Sequence, residues 1–243
     1  MASDGRLPKF DRVMVVMAHP DDPDFGAGGS VARFADGGAE VTYVVVTDGR
    51  QGGEDPKVKD SELIATRQRE QRAAAKVLGV KNVEFLGYKD GHLAPDLKVR
   101  RDIVRMIRKH RPDIVITQFP GRVLDYPIGG SHPDHLAVGE ATMAAVYPDS
   151  RNPRAFRSLL AEGLKPHRVK EVWIPFWSKG GDYFIDITST LDRKIDALRK
   201  HKSQPHVKAD KDGNFEKAMR RRHRDTGKKG GVKYAESFKR IKI

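Results

Sequence analysis

The chain contains no cysteine in 243 residues. That absence excludes disulfides, thiolate metal sites and a cysteine nucleophile, so any bound metal must rest on histidine and carboxylate. Long apolar runs are missing too, and none approaches the length needed to span a bilayer. The opening MASDGRLPKFDR lacks the basic-then-apolar order of a signal peptide. A cytoplasmic protein without a membrane span is the expectation.

Acidic residues are outnumbered, 33 Asp and Glu against 46 Lys and Arg, for a formal charge of +13. The excess is concentrated in a basic C-terminal segment, 206–243, where 13 Lys or Arg against 5 Asp or Glu leave +8. No aromatic side chain interrupts Arg220-Arg221-Arg222-His223-Arg224. The run therefore reads as a solvated helix face, with no nucleic-acid partner expected; an anionic partner or substrate tail is the other reading. The length suits one large α/β domain over 1–243.

What is present is a pair of related motifs. Residues 13–18 form a continuous apolar, mostly β-branched run that stops at His19-Pro20-Asp21-Asp22. Such a run reads as a strand buried on both faces of a parallel sheet, which places the motif at its carboxyl end, where open α/β sheets bind ligands. More than a hundred residues later, a second apolar run at 114–117 leads through a Gly/Pro-rich loop into His132-Pro133-Asp134-His135. Imidazole and carboxylate together suit a borderline-soft divalent cation, and three protein ligands with a fourth position left for water form a catalytic zinc arrangement. His19, Asp22 and His135 are the expected ligands. An attacking water needs a proton acceptor that is not itself a ligand, and Asp21 fits that role. His132, oriented by Asp134, is the expected donor to a developing oxyanion or leaving amine. Either motif alone is equally readable as a turn with a helix-capping Asp; the pairing of the two favours the metal site.

These motifs resemble those of the PIG-L/LmbE-like family of zinc-dependent N-acetylglucosaminyl de-N-acetylases. Ala18-His19-Pro20-Asp21-Asp22-Pro23-Asp24-Phe25-Gly26 is similar to the family's first motif, and His132 to His135 to its second. The likeness continues through Thr47-Asp48-Gly49, Arg67 and Glu70, Phe85 to Tyr88 with Asp90-Gly91, Ser203-Gln204, and Tyr234-Ala235-Glu236 with Phe238. It implies a three-layer Rossmann-like α/β fold with a mostly parallel central sheet flanked by helices. It also implies hydrolytic removal of an N-acetyl group from an N-acetylglucosamine-containing conjugate, with Zn2+ as cofactor, or another divalent cation such as Fe2+. The family's roles match those assigned above from chemistry. By the same resemblance Arg67 contacts substrate, although Arg67 and Glu70, one turn apart, read equally well as a surface ion pair. Asp90 follows a short apolar run, and both a sugar-hydroxyl contact and a turn-forming role stand for it.

Periodicity predicts helices at 26–35, 61–78, 97–110, 136–146, 155–162 and 190–201, and further strands at 41–46, 83–86, 169–176 and 183–187. Two loops, 49–60 and 118–131, are expected to line the pocket, with Arg122 and Tyr126 in reach of substrate. The Gly-rich stretch after His19 is not a dinucleotide fingerprint, because seven residues separate it from the strand. His201 reads as a helix cap. The expected partner is a small amino-sugar conjugate, and a homo-oligomer is compatible with the sequence. A non-catalytic protein that binds a metal or an anionic ligand at the same sheet edge is the rival reading.

Overall fold

The computed structural model describes residues 7–122, 131–176, 181–208, 210 and 212–243. In β1 (Arg12–Met17) every residue after Arg12 is buried. Val13, Val15 and Met17 point into one apolar cluster, Met14 and Val16 into another on the opposite face. A strand covered on both sides has no use for alternating polarity, which is why the run is continuously apolar. β2 (Glu40–Thr47), β3 (Asn82–Tyr88), β4 (Ile114–Thr117) and β5 (Glu171–Phe176) join it in parallel register.

The sheet has seven strands in the order β3-β2-β1-β4-β5-β7-β6, with β6 (Tyr183–Asp186) and β7 (Ala235–Lys242) at the far end. β7 is antiparallel to both neighbours, so the sheet is mostly parallel. On one face α1 (Asp22–Asp36), α2 (Asp60–Leu78) and α6 (Leu191–Leu198) pack against the first cluster; on the other, α3 (Leu97–His110) and α4 (Pro133–Ala144) cover the second. Shorter helices α5 (Arg157–Ala161) and α7 (Pro205–Lys208) and the basic α8 (Asn214–Gly230) complete the layers. The three-layer α/β expectation holds. Strand order reverses between β1 and β4, and the crevice at such a switch point is where this topology offers a ligand site.

Several bounds differ from the sequence reading, and two of the differences have a clear physical cause. α1 starts at Asp22 rather than at 26, because Pro23 sits in the first turn, where a missing N–H costs nothing. Within the basic segment, β7 was not foreseen: AESFKRIK buries Ala235, Glu236 and Phe238 while leaving Lys239 and Lys242 exposed. Its charge hides a strand that lies inside the sheet, between β5 and β6. The buried Glu236 accepts from the backbone N–H groups of Gly29 and Ser30 at 2.9 and 2.8 Å and from Lys194 Nζ at 2.5 Å, tying β7 and α6 to α1.

Candidate metal centre and active site

β1 ends at Met17, and the chain turns at its carboxyl edge through contacts with the neighbouring strands. Thr47 at the end of β2 donates its backbone N–H to Ala18 O at 2.8 Å. Gln118, just past β4, accepts from Ala18 N–H at 3.0 Å and donates from Nε2 to Asp22 Oδ2 at 3.0 Å. Opposite, α4 is capped by His132, whose Nδ1 accepts the backbone N–H of Asp134 at 3.2 Å. This start presents His135 one turn into the helix.

His19, Asp22 and His135 converge. His19 Nδ1 lies 3.2 Å from Asp22 Oδ2 and 3.2 Å from His135 Nε2, and His135 Nε2 lies 3.1 Å from Asp22 Oδ2. Tetrahedral coordination with bonds of about 2.0–2.1 Å sets donor atoms about 3.3 Å apart, so this triangle has the dimensions of one face of such a site. His132 stands edge-on to His19, ring centroids 4.8 Å apart. Within the described residues, His19, His132 and His135 form a group able to hold a metal ion, and His19, Asp90 and Asp134 a second.

The other ring nitrogen of His19 faces two carboxylates, Asp90 Oδ1 at 3.1 Å and Asp134 Oδ2 at 3.2 Å. Asp134 is fully buried and also accepts from the backbone N–H groups of Gly91 and Leu93, at 2.7 and 3.2 Å. The expectation that Asp134 orients His132 holds only for its backbone N–H; its carboxylate turns to His19 instead, anchored there by the N–H groups of the loop after β3. A carboxylate behind a ligating imidazole holds the proton on the far nitrogen and aims the near lone pair.

Burial works against charge on His19, but Asp134, Asp22 and Asp90 overcome it and push its pKa up to about 12. Burial acts to raise Asp22, yet His135 and His19 hold it well below the usual carboxylate range. Three carboxylates around one imidazole make a site that favours positive charge, whether a proton or a cation. His132 is lowered by burial and by the two neighbouring histidines.

Asp21 precedes α1 with φ 91°. Burial raises its carboxyl to about 6 against the opposing pull of Arg67. Arg67, 3 % exposed, donates to Gly49 O at 2.8 Å and Pro20 O at 2.6 Å, with Asp21 Oδ2 at 3.5 Å. Its guanidinium thus faces the Asp21 turn and the 49–60 loop rather than Glu70. Glu70 instead accepts from the backbone N–H and hydroxyl of Ser203, at 2.7 and 2.6 Å. Asp90 is 4 % exposed and accepts from Gln51 N–H at 3.0 Å, besides its contact with His19. Arg122 is exposed, and Tyr126 lies outside the described residues.

The sequence reading missed Gln118, Gln71 and the burial of His201. His201 is not a cap; it is wholly buried, 2.8 Å from Asp24 Oδ2. Gln71 had one signal, a polar residue four positions after Arg67 on the same helix face.

The family model described as GlcNAc-PI de-N-acetylase matches residues 14–146, more than half the chain and both motifs. The chain belongs to that family. A diacetylchitobiose deacetylase from Thermococcus kodakarensis is 36% identical over 193 residues, covering 79% of this chain and 70% of the relative. A probable N-acetyl-alpha-D-glucosaminyl L-malate deacetylase from Bacillus anthracis is 28% identical over 203 residues, covering 79% and 80%. Among solved structures, an N,N'-diacetylchitobiose deacetylase from Pyrococcus horikoshii superposes with a TM-score of 0.86 at 31% identity, covering 96% of this de-N-acetylase-family chain and 85% of that one.

Proposed function

We propose that the protein is a metal-dependent amidohydrolase that removes the acetyl group from an N-acetylglucosamine-containing saccharide or conjugate. The observation that carries this reading is the triangle of His19, Asp22 and His135 at 3.1–3.2 Å, with a non-ligand carboxylate, Asp21, next in sequence to one of its corners. A binding protein has no need of that extra carboxylate, and the named relatives are deacetylases of amino-sugar compounds.

His19, Asp22 and His135 are the residues proposed to hold the ion, with zinc the favoured metal for a mixed imidazole and carboxylate set. When bound, it would supply a Lewis acid and a water of lowered pKa. Asp21 is then the general base that takes the proton of the attacking water, held between the Arg67 guanidinium and the start of α1. His132, facing the same crevice, is placed to hydrogen-bond the carbonyl oxygen as charge develops on it and to hold the departing amine, to which Asp21 passes the proton it took from the water. Asp90 and Asp134 keep His19 in the tautomer that offers Nδ1 to the ion. In this reading Asp90 acts first through His19, and a sugar-hydroxyl contact is an additional role for the same carboxylate. Arg67 acts through Asp21 at the rim of the substrate site.

The test is acetate release from N,N'-diacetylchitobiose, N-acetylglucosamine and an N-acetylglucosaminyl glycoside by zinc-loaded protein, with mass detection of the free amine. Release from at least one, abolished by a chelator and restored by zinc, is the expected result. A fully metallated, folded protein that releases acetate from none of them refutes the reading.

A further inference from the structure

The peptide group that joins Pro20 to Asp21 is gripped at both poles by one face of α2. Arg67 Nη2 donates to Pro20 O at 2.6 Å, and Gln71 Oε1 accepts from Asp21 N–H at 2.7 Å. Residues four apart on a helix lie on the same face, so a single element holds the carbonyl and the N–H of one peptide plane. That plane's orientation determines φ of Asp21, which at 91° lies where non-glycine residues are strained and persist only if their surroundings over-determine them.

Gln71 is itself oriented. Its Nε2 donates to Asp24 Oδ2 at 2.9 Å, the oxygen that lies 2.8 Å from His201 Nε2, while Asp24 Oδ1 accepts from the Tyr43 hydroxyl at 3.2 Å. The Asp24 oxygen that accepts from Nε2 fixes the NH2 edge of the Gln71 amide toward itself and leaves the carbonyl edge for Asp21. Gln71, Asp24, His201 and Tyr43 all have zero exposure. Buried polar groups are costly unless satisfied, and the bonds among these four residues favour one arrangement of the amide, with His201 bonded through Nε2 and its Nδ1 left without a partner among the described residues.

We infer that Gln71 is a positioning residue for Asp21, set in orientation by the buried Asp24–His201 pair, a role that rests on the reading of Asp21 as general base. Without it the N–H pole of the 20–21 peptide is released and Arg67 holds the plane from its carbonyl alone, which lets Asp21 relax toward negative φ and carry its carboxylate away from the crevice. The ligand triangle, held separately through Gln118, Asp90 and Asp134, stays intact.

The full chain loaded with zinc is compared with its Gln71→Met, His201→Gln and His201→Phe variants, using N,N'-diacetylchitobiose as probe and elemental analysis for metal. Gln71→Met is expected to lower kcat on the order of a hundredfold, with KM within about twofold and metal content unchanged, as a displaced catalytic group does. His201→Gln, which retains a donor to Asp24, is expected to keep most of the activity, and His201→Phe to lose it as far as Gln71→Met. A folded Gln71→Met protein with unaltered kcat, or one that loses activity only in proportion to lost zinc, overturns the assignment. If Gln71→Met fails to fold, equal kcat in the two His201 variants overturns it. A metal-loaded parent that releases no acetate from any acetylated amino sugar removes the functional reading and this role together, whereas an active parent isolates the role of Gln71.

Discussion

The imidazole of His19 and the carboxylate of Asp134, 115 positions apart in the chain, meet at 3.2 Å between Nε2 and Oδ2. One His-Pro-Asp motif therefore orients the other: the acid of the second stands behind the histidine of the first. The relationship makes the site a single unit and carries the first prediction.

Asp134→Ala removes the acceptor behind His19 and leaves the N–H groups of Gly91 and Leu93 unpaired. Zinc affinity should fall by about 10–100-fold, the usual effect of deleting an outer partner of a ligating imidazole. Metal titration with a competing chelator measures it, and unchanged affinity would show that Asp90 alone suffices.

Asp21→Ala should reduce turnover by about 10²–10⁴-fold, the range for a deleted general base, and should leave bound zinc in place. His135→Ala should instead lose the metal along with activity. Elemental analysis beside acetate-release kinetics separates the two, and metal loss in the Asp21 variant would reassign that carboxylate as a ligand.

Gly139 lies on α4 where a Cβ would come within 2.4 Å of Gln118 O and 2.9 Å of Pro120 N, both backbone atoms. Gly139→Ala must push α4, with His132 and His135, away from β4. Overpacking of this kind costs about 1–3 kcal/mol. A fall in Tm of several degrees is expected, and an unchanged Tm would mean that the loop after β4 yields freely.

Acid should destabilise the fold through His223. Burial, reinforced by Lys194, pushes its pKa down from 6.5 to about 3, and its Nδ1 lies 2.9 Å from Ala235 O, an acceptor. Between those values the unfolded state binds more protons than the folded one, so stability rises with pH across the window and is lost on acidification. His206, lowered to about 4, adds an effect of the same sign. Urea midpoints measured from pH 7 to pH 4 should fall, and His223→Asn, which keeps a donor to Ala235, should flatten the slope. An equal slope in both proteins would remove His223 from the account.

Legibility followed the range of the interactions. α3 was readable end to end because its apolar residues repeat at helical spacing; the structure adds a cap, Asp96 accepting Val99 N–H at 2.9 Å. β1 and β2 announced themselves by continuous burial. β7 did not, since its strand character depends on neighbours far away in sequence and half of its own residues are charged. In the site, the residues of the two motifs were legible because their chemistry is local to each motif, whereas Gln71, Gln118 and His201 carry no short-range signature.

Composition and motif order by themselves determined an α/β chain whose metal, if any, rests on imidazole and carboxylate, and they singled out the side chains proposed to hold it. Only the tertiary structure decided which partner each of those side chains takes: Asp134 turned to His19, Arg67 to the Pro20 carbonyl, His201 to Asp24. The physical reason is that hydrogen bonds are directional and short. Partner choice depends on where strands β1 to β4 bring their carboxyl ends together, and spacing along a chain does not encode that.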